Sequence, residues 1–327
     1  MVPLPPSGQG LLWGGARDVG RTPRSWEAPL RQPPGPDRHG PIWPYPEVGR
    51  YTEAGGVRWH HLRFGTGPPL LLLHGSASST HSWAGVASRV RSRFSLVIPD
   101  LPGHGYSSDF PSGFGGPDDL ARALGAFLRK EAVAPVLVAG HSAGAVLAIR
   151  AVTRGWIAPR GVMGVNPALG SRDSFLPPLV AGPLTAFARS RGPAHLGAAL
   201  FRAAPLAELL LRSTGSRLSQ ETRSHYRHLL ADSRRVRGVL RLMADWDPQG
   251  VGAEAAALGI PVRFLTGSRD RWVPPQRVRA HAGGVPVEEV PDRGHLLPEE
   301  DPDAVVRSLR RLAVEAGLGE GGAEGLE

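Results

Sequence analysis

Short, uninterrupted apolar runs punctuate this chain. Leu70-Leu71-Leu72-Leu73, Leu96-Val97-Ile98, Val136-Leu137-Val138-Ala139, Val162-Met163-Gly164-Val165 and Val262-Arg263-Phe264-Leu265-Thr266 each stop close to Gly, Pro, Asp or Asn. A strand covered on both faces needs apolar side chains at nearly every position, so these runs predict parallel strands. A further strand is expected at 285–290, and Tyr51 to His60 reads as a hairpin turning at Gly55-Gly56. Helical spacing is expected at 118–131 and 301–315. The β-α alternation predicts an α/β fold with an open, mostly parallel sheet and helices on both faces.

Between Pro167 and about Ile260 the strand signal stops. Tyr226, Leu229, Leu230, Val236, Val239, Leu240, Met243 and Trp246 recur instead at steps of three and four, the spacing of amphipathic helices. The expected organisation is a core at 46–167 and 258–318, with 168–257 inserted as a helical cap over the strand ends. Residues 1–45, rich in Pro, Gly and Arg, have no period that buries a face; they read as a disordered tail or an upstream extension of the reading frame. Residues 319–327 are expected to be a disordered tail as well.

Composition narrows the function. The 327 residues carry a net charge of +9, and every basic residue except Lys130 is arginine. These arginines are spread along the chain rather than packed into blocks, which argues against nucleic acid. Without cysteine, no disulfide, thiolate metal site or thiol nucleophile is available, and a cytoplasmic location is expected. No apolar stretch approaches the roughly 18 residues of a membrane span.

The chemistry centres on Gly140-His141-Ser142-Ala143-Gly144, between the strand at 136–139 and a helix-like stretch, Ala145 to Ile149. A strand turning sharply into a helix strains the apex residue and lifts its side chain clear of the sheet edge; the small Gly140 and Gly144 let the helix start close by. Ser142 is therefore a candidate nucleophile. It needs a base, and the base needs an orienting acid. Two late strands end in loops that supply them, Asp270 after 262–266 and His295 after 285–290. Asp292 is a competing acid expected to point to solvent, His74 is expected to structure its own loop, and Asn166 cannot ionise. Backbone N–H groups of Ala143 and Ser76 are the expected oxyanion donors. His225 and His228 lack a third residue at metal-ligand spacing. No cofactor is expected. The cap arginines, among them Arg202, Arg212 and Arg217, read as a solvated face, with carboxylates or an anionic surface as the alternative partner.

With these motifs and Pro99-Asp100-Leu101-Pro102-Gly103-His104-Gly105, the chain resembles the α/β hydrolase superfamily from about 48 to 316. Three segments, Tyr51 to His61, Leu73 to Trp83 and Ser213 to Leu218, are similar to the magnesium chelatase accessory protein branch; Leu242 to Asp247 adds to the likeness. The resemblance implies a triad of Ser142, Asp270 and His295 and a role in bacteriochlorophyll synthesis. It leaves the reaction open. An ester, thioester or lactone hydrolase acting on a small molecule, such as a tetrapyrrole, is the leading expectation. The alternatives are a tetrapyrrole-binding protein serving magnesium chelatase, in which Trp246, Met243 and Arg217 contact the ligand, and a triad enzyme of other chemistry such as cofactor-free perhydrolysis. Haloalkane or epoxide chemistry is disfavoured, because it requires a carboxylate where Ser142 stands.

Overall fold

In the computed structural model, residues 43–109, 116–170, 191–202 and 204–318 are described. The chain opens with the expected hairpin, β1 (Gly49–Ala54) and β2 (Val57–Phe64). Gly55 and Gly56 both take positive φ, the conformation that a two-residue turn of this hand requires. Then follow β3 (Pro69–Leu73), α1 (Ala84–Val90), β4 (Ser95–Pro99), α2 (Pro117–Lys130), β5 (Leu137–His141), α3 (Ala143–Thr153) and β6 (Gly161–Val165). Helices α4 (Arg191–Arg202), α5 (Ala204–Ser213), α6 (Gln220–Leu230), α7 (Ser233–Ala244) and α8 (Val251–Ala256) precede β7 (Val262–Gly267). The chain then runs through α9 (Pro275–His281), β8 (Val287–Val290), α10 (Leu297–Glu300) and α11 (Pro302–Glu315).

The eight strands form one sheet in the order β1-β2-β4-β3-β5-β6-β7-β8, antiparallel at β1–β2 and β2–β4 and parallel thereafter. Period-two side-chain geometry explains the unbroken apolar runs. Leu71, Leu73, Val97 and Val138 point into one core layer, with α2 and α3, whereas Leu70, Leu72, Leu96 and Leu137 point into the other, with α1 and α11. Nearly every residue of these runs is therefore buried, Val136 and Arg263 being partly exposed, and a polar substitution in either layer leaves an unpaired group.

From β3 the chain moves outward to β4 and then crosses back to β5 on the other side of β3. The carboxyl ends of β3 and β5 thus flank the point where the winding reverses, the place where open α/β sheets form a crevice.

Two expected boundaries move. Trp43 and Tyr45, assigned to the tail, belong to the folded part: Trp43 is buried, its indole N–H donates to Thr80 Oγ1 at 3.3 Å, and it packs edge-on against Tyr106 and His225. A lone aromatic docking this way leaves no periodicity to read. Helix α8, assigned to the cap, contributes Val251 and Ala255 to the core layer of α2 and α3. The remaining tail positions, and the cap's first part at 171–190, lie outside the described residues.

Candidate active site

The elbow is set by close approach. A Cβ on Gly140 would lie 2.3 Å from Gly144 O, and one on Gly144 would lie 2.3 Å from Leu73 O, so both positions require glycine for α3 to start against β3 and β5. A Cβ on Gly75 would lie 2.8 Å from His141 Nδ1, so the loop after β3 is equally tight. Ser142 sits at the apex with φ 51° and ψ −114°, a strained conformation for an L-residue, with its N–H bonded to Val165 O at 2.9 Å.

The structure brings Ser142, His295 and Asp270 together. Ser142 Oγ is 3.1 Å from His295 Nε2, and His295 Nδ1 is 2.7 Å from Asp270 Oδ2. Asp270 is buried rather than paired with its arginine neighbours: Oδ1 accepts the N–H groups of Trp272 (2.9 Å) and Val273 (2.8 Å), and Oδ2 also accepts Asn166 Nδ2–H at 2.7 Å. Four hydrogen bonds fix the direction of this carboxylate. Asp292, the rival acid, is exposed and pairs with Arg269.

Three supports of this arrangement had not been read from the sequence. Asn166, dismissed as an acid, positions Asp270 from the end of the adjacent strand. His141 Nε2–H donates to His295 O at 2.8 Å, and burial depresses its pKa to about 3, so it acts as a neutral donor. Thr214, in the turn after α5, accepts His295 N–H at 3.1 Å, while Ser216 Oγ accepts Leu296 N–H at 2.8 Å. Strand adjacency gave a signal for Asn166; the cap contact to His295 runs through the Thr214 carbonyl, a backbone atom, and leaves none. His74 does structure its loop: Nδ1–H donates to Gly75 O, Nε2 accepts Leu101 N–H, and burial lowers its pKa to about 4.

Ser142 opens on a cavity of about 510 Å³. Ser76, Ala77 and Ala143 border it on the core side, where Ala77 takes φ 60°, and Leu210, Leu230, Val239, Leu240, Met243 and Trp246 form much of the cap side. Met243 and Trp246 thus both line this cavity. Arg217 does not: it is exposed and lines a separate cleft. The cap arginines also fail to face the cavity. Arg235 donates to Gly105 O, and Arg237 and Arg241 both bind Asp109. Arg235, Arg237 and Arg241 instead tie α7 to the loop at 105–109. Among the described residues, Arg277, from α9, is the one arginine or lysine in the lining.

This fold and this nucleophile elbow define a class. The chain belongs to the alpha/beta hydrolase family, whose model matches residues 70–308. Within it, the chain is similar to the magnesium-chelatase 30 kDa subunit of Rhodobacter capsulatus, at 30% identity over 275 residues, covering 80% of this chain and 93% of that protein. It is also similar to haloalkane dehalogenase 2 of Mycobacterium tuberculosis, at 27% identity over 282 residues, covering 81% of this chain and 94% of that one. Among solved structures, an alpha/beta hydrolase fold protein from Burkholderia ambifaria superposes with a TM-score of 0.63 at 27% identity, over 80% of this chain and 97% of that one. No single helix among the described residues is long and apolar enough to cross a membrane.

Proposed function

We propose that the protein is a serine hydrolase cleaving an ester, thioester or lactone through an acyl-enzyme. The observation that carries this reading is the unbroken hydrogen-bonded chain from Ser142 Oγ through His295 to Asp270, opening on an apolar cavity. Ser142 Oγ attacks the substrate carbonyl while its proton passes to His295 Nε2. Asp270 at Nδ1 stabilises the imidazolium that forms. The N–H groups of Ser76 and Ala143 hold the oxyanion as charge develops. Collapse breaks the bond to the leaving oxygen or sulfur, which takes the proton from His295. A water molecule, deprotonated by the same imidazole, then releases the acid and restores Ser142.

The substrate class follows from the lining: a largely hydrophobic molecule presenting its acyl bond at the cavity floor. A serine in this place supports acyl chemistry over carbon–halogen displacement, despite the dehalogenase relative, because displacement at carbon needs a carboxylate to form the ester intermediate. The Rhodobacter relative supports an accessory role in magnesium chelation for bacteriochlorophyll, with a tetrapyrrole ester as substrate and the chelatase as partner.

Labelling with a fluorophosphonate probe tests the reading. Wild-type protein is expected to react, and Ser142→Ala and His295→Ala are expected not to. A folded wild-type protein that stays unlabelled refutes an activated serine, and saturable binding of protoporphyrin by that protein would then favour the tetrapyrrole-binding role.

A further inference from the structure

Asp270 and its loop also border a second cleft, of about 480 Å³, whose lining shares no residue with the cavity at Ser142. Four arginines line it: Arg212 and Arg217 from the cap, and Arg269 and Arg271 flanking Asp270 in sequence. Asp270 also lines the cleft but forms no ion pair with these arginines, because its oxygens face His295, Asn166 and two backbone N–H groups. Arg269 pairs with the exposed Asp292, and Arg212 shares Glu208 with Arg223. Among the described residues no carboxylate pairs with the guanidinium of Arg217 or Arg271. A further acid, Glu300, faces backbone, its carboxylate accepting the N–H groups of Arg217 and Gly294 at 3.0 and 2.7 Å.

The backbone beneath these side chains is fixed. Thr214 O accepts Arg271 N–H at 3.5 Å as well as His295 N–H, and a Cβ on Gly215 would strike Arg269 O at 2.0 Å. The same Cβ would lie 3.5 Å from Arg271 Cγ, so the Arg271 stem is laid against the cap turn. The hydroxyls of Ser216 and Ser268 line the cleft too; each already accepts a backbone N–H and retains its own proton to donate. Converging guanidinium groups repel one another unless an anion joins them, and their planar forks suit phosphate or carboxylate oxygens.

We propose that this cleft binds a multivalent oxyanion, a phosphate ester or a polycarboxylate, which bridges the cap turn and the Asp270 loop. Arg217 and Arg271 make the principal contacts, with Arg212 and Arg269 contributing charge. The site is separate from the apolar cavity, and the inference stands whether or not Ser142 is reactive.

Calorimetric titration of the full chain with inorganic pyrophosphate and, separately, citrate tests it. Saturable binding is expected for at least one probe, weakening by about tenfold or more in an R217Q/R271Q double variant whose melting curve without ligand matches wild type. A phosphate-only or citrate-only response identifies the oxyanion. Because both arginines are exposed, the double variant should fold; R217E/R271E provides a second control and should bind neither probe. Absence of saturable binding by wild type for both probes, or equal binding by the variants, overturns the proposal.

Discussion

Asp270→Asn is nearly isosteric, yet the hydrogen-bond pattern around it turns the substitution into a test of the base. Asp270 Oδ1 faces two fixed donors, the N–H groups of Trp272 and Val273. In the Asp270→Asn variant the side-chain carbonyl must take that place, since an NH₂ there would meet two N–H groups. The NH₂ then occupies the Oδ2 position, where Asn166 and His295 donated. Asn166 can adapt by flipping its amide, whose Oδ1 is buried without a partner. His295 can adapt only by moving its proton from Nδ1 to Nε2, the nitrogen 3.1 Å from Ser142 Oγ. It then has no lone pair with which to take the serine proton. Tautomer inversion of this kind costs about 10⁴ in rate, or roughly 5.5 kcal/mol of transition-state stabilisation. The assay is the second-order rate of fluorophosphonate labelling, with circular dichroism and thermal melting confirming the fold. A folded Asp270→Asn protein reacting within about tenfold of wild type would refute the assigned role of the carboxylate.

Three other outcomes follow from the geometry. Gly144→Ala should destabilise by about 1–3 kcal/mol or more, because its Cβ meets the carbonyl oxygens of Leu73 and His74, both backbone atoms; the shift in urea midpoint measures it, and an unchanged midpoint would contradict the close approach. Ser142→Gly should be more stable than Ser142→Ala by about 1 kcal/mol, since glycine accepts φ 51° without a Cβ penalty; equal or reversed stabilities in parallel denaturant melts would remove strain from the elbow. Burial pushes the Glu299 carboxyl up to about 8 from 4.5, with Tyr226 O–H donating to it. The folded state therefore binds this proton more tightly than the unfolded one. The stabilisation is complete below about pH 4.5 and is lost as pH rises to about 8, by up to roughly 1.4 kcal/mol per unit; Glu299→Gln should flatten that slope in denaturation measured at several pH values, and a slope equal to wild type would exclude the group.

The parallel strands were legible because burial on both faces writes itself as continuous apolar runs, and the elbow because its two glycines answer to backbone collisions that any larger residue would create. Asp270 and His295 stood out as candidates because each lies in the loop after one of the two last strands. The sheet order was not legible: β4 lies outside β3, and nothing in Leu96-Val97-Ile98 distinguishes an outer parallel strand from a central one. Arg217 misled for a related reason. Its segment was recognised, but the turn faces the Asp270 loop, and the part of it that touches His295 is the carbonyl of Thr214, which every residue type carries.

That carbonyl bears on what the cap does. A lid resting over the strand ends would be free to move without disturbing the imidazole beneath it. Here the turn at 214–216 holds the His295 N–H, the Leu296 N–H and, more weakly, the Arg271 N–H, while a Cβ on Gly294 would lie 2.3 Å from Ser216 N. Displacing the turn leaves the buried His295 N–H without its acceptor, at a cost of about 1–3 kcal/mol, and frees the loop that aims Nε2 at Ser142. The amphipathic helices α6 and α7 meet the cavity with apolar side chains, among them Leu230, Val239 and Met243. The cap is thus anchored to the core at two places, the 214–216 turn beside the imidazole and α7, where Arg235 bonds Gly105 O and Arg237 and Arg241 bind Asp109, and only the first of these bears directly on the aim of Nε2.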